Sequence, residues 1–156
     1  MVELTLGFHP VLRGMDPHGQ EDQDAVKLRI LNNSIRLRLT VREVAQIGAG
    51  QAVVSRLHLP GGCALSYSLV PAKAQDFSVA LQAERDQASL VVSAPAEQAE
   101  HWADSPALVS LESSVALDGG TLSLLVEKDF ACRAPRTGDD LEDLFVNPGS
   151  LASPVE

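Results

Sequence analysis

Two glycine pairs punctuate this chain at matching places. Pro60-Gly61-Gly62 lies between the alternating runs AVVSRLHL and ALSYSLV, and Asp118-Gly119-Gly120 lies between ALVSLESSVAL and TLSLLVEKD. Glycine between two period-2 apolar runs is a hairpin signal, because it reverses a strand through positive φ without steric cost. Each of these hairpins follows the same three elements. KLRIL and SIRLRLT are short strands around Asn32-Asn33 and lead to a helix; DFSVALQA and ASLVVSA are strands around Arg85-Asp86 and lead to a second one. The first helix opens on a capping box, Thr40 with Glu43 three residues on, in which each side chain satisfies the other's free backbone N–H. Val44 and Ile47 form its apolar stripe, and Gly48 and Gly50 stop it. The second helix opens at Ser93 or Pro95, with Ala99 and Trp102 in the places of Val44 and Ile47. The chain therefore reads strand–strand–helix–strand–strand twice, a duplication with a pseudo-two-fold axis.

Eight strands with one apolar face each, plus two short helices, predict a mostly antiparallel α+β fold of two ββαββ units. Such strands are expected to close into a strongly curled sheet or barrel carrying the two helices; the alternative is two separate four-stranded sheets packed through their helices, since period-2 alternation is the same in both. At 156 residues the chain fits one domain. Aromatic residues make up only 4 %, so Val, Leu and Ala must fill most of the core. Residues 1–25 carry the polar stretch GMDPHGQEDQD and no regular period, and are expected to be a disordered extension. Residues 26–130 form the duplicated domain, and residues 131–156 an acidic, partly docked C-terminal segment.

The formal charge of −9 opposes non-specific binding to nucleic acid or to an anionic membrane, since both need a basic face. No run of about 18 apolar residues is present to span a bilayer, and Glu3 interrupts any signal-peptide pattern. Cys63 and Cys132 are too few and too far apart for a disulfide framework or a zinc site. The expected location is the cytoplasm.

Four constellations could carry function. Arg36 and Arg38 alternate with Ile35, Leu37 and Leu39, so both stand on the sheet face opposite the apolar one. Enclosed, they would form an anion clamp with which a carboxylate such as Glu127 could pair; otherwise they sit on an exposed face. Glu127 and Asp129 project to one face of the last strand, and Lys128 to the other. Two such carboxylates could share a divalent cation or divide acid and base roles, although no calcium-loop spacing is present. The plainer reading is a strand end leaving the sheet, with Lys128 and Asp129 in solvent and Phe130 plugging the core. Cys132 lies next to Arg133, which lowers a thiol pKa, but no histidine is close in sequence to serve as its base. Last, Leu141, Leu144 and Phe145 fall at i, i+3 and i+4 amid carboxylates, an apolar stripe suited to docking on a partner or back on its own domain.

Beyond these patterns, KLRILNNSIRLRLTVREV at the front, and LSLLVEKDFACR followed by DDLEDLFVNP at the back, resemble a family of small bacterial proteins of unknown function. The resemblance covers residues 27 to about 148 and implies no activity. Its members open at the first strand, with Val26 standing where their initiator Met falls, which makes residues 1–25 an extension to the pattern. The expected function is that of a small cytoplasmic binding or accessory protein without a catalytic motif, a cofactor or a resident metal. Its candidate binding residues are Arg36, Arg38, Glu127, Asp129 and Arg133. The alternative is a metal-assisted or acid/base enzyme built on Glu127, Asp129 and the arginine-lined face.

Overall fold

The computed structural model describes residues 26–130 and Phe145. The extension expected at residues 1–25 and most of the acidic segment, with Cys132, Arg133, Leu141 and Leu144, lie outside the described residues. The elements follow the order read from the sequence. The first unit runs β1 (Lys27–Leu31), β2 (Ser34–Leu39), α1 (Val41–Gly48), β3 (Val53–His58) and β4 (Ala64–Ala72). The second runs β5 (Ser78–Glu84), β6 (Gln87–Pro95), α2 (Ala96–Asp104), β7 (Ser110–Leu117) and β8 (Gly120–Lys128).

The turns explain themselves chemically, with one exception. Gly61, Gly62 and Gly119 all hold φ between 77 and 88°, the region where only glycine is unstrained. Asn32 and Arg85 open the equivalent hairpins β1–β2 and β5–β6 at φ 50 and 49°. Asparagine tolerates that conformation; arginine gains nothing from it. The capping box at α1 is formed, with the Thr40 N–H donating to Glu43 Oε2 at 2.9 Å and the Glu43 N–H to Thr40 Oγ1 at 3.4 Å. Pro95 is the N-cap of α2 and supplies no side-chain bond.

The strands form two separate four-stranded sheets, ordered β1-β2-β8-β7 (sheet A) and β3-β4-β6-β5 (sheet B), and neither closes into a barrel. Within each sheet the outer pairs are antiparallel hairpins, but the central pairs, β2 with β8 and β4 with β6, are parallel. Each unit thus gives one hairpin to each sheet. Exchanging the units (β1 for β5, β2 for β6, β3 for β7, β4 for β8) turns the order of sheet A into that of sheet B, as a pseudo-two-fold requires. A barrel would need β1 or β7 to bond to β3 or β5; instead these four strands remain edges.

The sheets meet at their helix end. There α1 packs against α2 and against β2, β3 and β4, while α2 also covers β4 and β6. The core is Leu37, Leu39, Ile47, Leu69, Val92, Trp102 and Val126, all nearly inaccessible, with Ile47 and Trp102 in equivalent helix positions. Val26 ties the sheets directly: its N–H donates to Ser55 Oγ and its carbonyl accepts from the Tyr67 hydroxyl, both at 2.9 Å. Towards the hairpin turns burial fades, and the core-side residues Ile30, Leu57, Leu81 and Leu117 are exposed.

The helices can approach because α1 ends on Gly48. A Cβ built there would lie 2.9 Å from the Cβ of Ala103 on α2, which is fixed to a helix backbone and cannot swing away. Gly48→Ala gains about 1 kcal/mol of helix propensity but incurs an overpacking cost of about 1–3 kcal/mol. The expected net effect is destabilisation, relieved by adding Ala103→Gly. Urea unfolding of the single and double variants checks this; a single variant as stable as the parent would show that the helices slide apart freely.

Candidate functional site

The outer face of sheet A gathers most of the charged candidates. Along β2, Ile35, Leu37 and Leu39 are buried against the helices, which turns Arg36 and Arg38 outward. Along β8, Leu124 and Val126 are buried, which turns Leu125 and Glu127 outward. Parallel pairing then sets Arg38 opposite Glu127 and Arg36 opposite Leu125. The result is one carboxylate oxygen shared by two guanidiniums. Glu127 Oε1 accepts from Arg36 Nε at 2.8 Å and lies 2.6 Å from Arg36 Nη2, and it also accepts from Arg38 Nε. The Glu127 side chain is 13 % exposed, against 31 % for Arg36 and 41 % for Arg38. The carboxylate is therefore committed, while both guanidiniums keep donors towards solvent.

The edge strand β1 adds two more cations in register. Lys27 stands opposite Arg38, and Arg29 opposite Arg36. Like charges in cross-strand positions repel, so this two-by-two block opposes the pairing it sits on unless counter-charge is supplied. Lys27 receives some, with Nζ 2.7 Å from Asp129 Oδ2. That contact is Coulombic, since Oδ2 is buried without an aligned hydrogen bond. Arg29 has no hydrogen-bond or ion-pair partner among the described residues.

Lys128 and Asp129 are not solvated, as a strand end leaving the sheet would have them; both are 4 % exposed. Lys128 falls on the core side because it continues the alternation of Leu124 and Val126. Its ammonium donates to the Ser105 carbonyl at 2.7 Å and lies 5.6 Å from the ring centres of Trp102 and Phe145. A cation over aromatic faces and on a carbonyl is partly compensated for lost water. Phe145 returns to this corner: its N–H donates to the Asp129 carbonyl at 2.8 Å, and its ring packs at 5.6 Å on Phe130.

The structure thus brings together Arg36, Arg38 and Glu127, and sets Asp129 on a separate cation, so the two carboxylates do not share an open space. No cluster of three or more His, Cys, Asp or Glu side chains occurs among the described residues. Cys63 is a half-buried free thiol, and His58 and His101 are both exposed. Lys27 and Arg29 were missed as site residues, although their parity in KLRIL and the Asn32-Asn33 turn already placed them across from the arginines. Glu112, on β7 opposite Leu125, had no local signal, because only the β7–β8 register brings it to this face.

Burial lowers the pKa of Lys128 from the ordinary 10.5 by desolvation of its charged form. Between the folded pKa and 10.5 the unfolded chain holds a proton that the folded one does not, so this group makes stability rise with pH across that window. Lys128→Met removes the contribution. The variant should compare most favourably with the parent near neutral pH and lose that advantage as pH climbs through the window. Urea midpoints measured along the pH series check it; parallel curves would mean that burial leaves the ammonium unperturbed.

No curated protein and no solved structure matches the chain. A family pattern does, over residues 26–149, from the start of β1 to beyond Phe145. The chain belongs to the family of unknown function DUF7009.

Proposed function

We propose that this protein is a small cytoplasmic binding or accessory protein that holds an anionic ligand on the outer face of sheet A. One observation carries the reading: Lys27, Arg29, Arg36 and Arg38 form a contiguous block whose ion pairs among the described residues go to Glu127 and Asp129 alone. In a chain of net charge −9, solubility does not call for four cations side by side. Their mutual repulsion is a standing cost that a bound anion relieves, and the guanidinium fork matches carboxylate and phosphate oxygens. Glu127 has a positioning role here, since it holds Arg36 and Arg38 side by side and leaves their remaining N–H groups directed outward. The free thiol of Cys63 suits a reducing compartment. No helix among the described residues is long and apolar enough to cross a membrane.

The test is to follow arginine Nε–H resonances during titration with citrate and with inorganic phosphate at low ionic strength, where surface electrostatics are least screened. Arg36 and Arg38 should move saturably. Arg56, bonded to Gln87 on the other sheet, is the internal control. Drift of all three by the same small amount would overturn the proposal. The metal-assisted or acid/base alternative draws on the buried Asp129 Oδ2, which lacks a directed partner. Millimolar Mg²⁺, Mn²⁺ or Ca²⁺ raising the melting temperature by several degrees would favour that alternative.

A further inference from the structure

The cation block runs into a cleft that ends on the opposite charge. The cleft, of about 460 Å³, crosses sheet A from Arg29 and Arg36 at one end to Glu112 at the other, over Leu125, Ser34 and Ser123. That volume lies within the range of roughly 300–1,000 Å³ usual for small-ligand sites. Register places Arg29, Arg36, Leu125 and Glu112 in one row across four strands. With strands about 4.8 Å apart, the Arg36 and Glu112 positions are separated by about 10 Å. Neither Arg29 nor Glu112 has a hydrogen-bond or ion-pair partner among the described residues. Two opposite charges unmatched among the described residues, with an aliphatic side chain between them, describe the outline of a ligand.

We propose that this cleft binds a short zwitterionic peptide, with its carboxylate on Arg29 and Arg36, its ammonium on Glu112 and its aliphatic body over Leu125. The inference rests on the anion-binding reading above and narrows it. An extended tripeptide spans about 10 Å, which is the separation the row offers. A simple dianion fits less well, because Glu112 would repel its far end while remaining unpaired.

Calorimetric titration of the full chain with tri-alanine, N-acetyl-tri-alanine and tri-alanine amide tests it. Each blocking group removes one charge-assisted contact, so free tri-alanine should bind about tenfold more tightly than either derivative. Glu112→Gln, on an exposed edge-strand position, should keep the parent's melting temperature and abolish the preference for the free ammonium. Equal affinity for the free and acetylated peptides would overturn the zwitterion and leave anion binding standing. Citrate or phosphate moving Arg36 and Arg38 while no peptide binds would do the same. Silence from every anion and every peptide would sink both readings. Finally, a concentration-dependent dimer that blocks peptide binding would assign the face to a second copy of the chain.

Discussion

The parallel pairing of β2 with β8 is the constraint on which the rest of this molecule depends. It joins residues 34–39 to residues 123–128, nearly the full length of the described chain apart. The same six rungs serve both faces of sheet A. On the inner face they bring Leu37 against Val126 and Leu39 beside Lys128, and so form part of the core. On the outer face they set Arg38 across from Glu127. A slip of one residue would invert every side chain, burying the guanidiniums and expelling the leucines, so the apolar alternation enforces the register that builds the charged site.

The second central pair, β4 with β6, plays the equivalent part in sheet B, but its outer face is chemically different. Counted back from the helix, Ser78, Ala80, Val91 and Ser93 hold the places of Lys27, Arg29, Arg36 and Arg38, and Val70 holds that of Glu127. The pseudo-two-fold therefore relates backbones and core, while the outer faces have diverged. That is the expected result when packing constrains only one side of each strand: the inward residues must fit one another, and the outward ones are free to acquire a role.

Much of the local structure was legible in the sequence, because it is set by short-range chemistry. The capping box, the glycine hairpins and the inward and outward faces of β2 and β8 each depend on residues within a few positions of one another. What alternation could not reveal is which hairpin lies beside which, since a strand of period 2 is equally content in a barrel or an open sheet. Exchange of hairpins between sheets was therefore unreadable, and with it the place of Glu112. The misreading of Lys128 and Asp129 as solvated has a different origin. Residue type argued for water, but Trp102, the Ser105 carbonyl and Lys27, none of them adjacent in sequence, supply the compensation that allows both to be buried.

Reciprocal exchange of hairpins also decides what holds the two halves together. The peptide link between them, residues 73–77, merely steps from the end of β4 past β6 to the start of β5. Cutting it would sever the chain but no sheet: each fragment would still be hydrogen-bonded to the other along both parallel seams and packed through Gly48 against Ala103. The halves are interlocked rather than tethered, so neither is a subdomain that can melt or be excised while its neighbour stays intact.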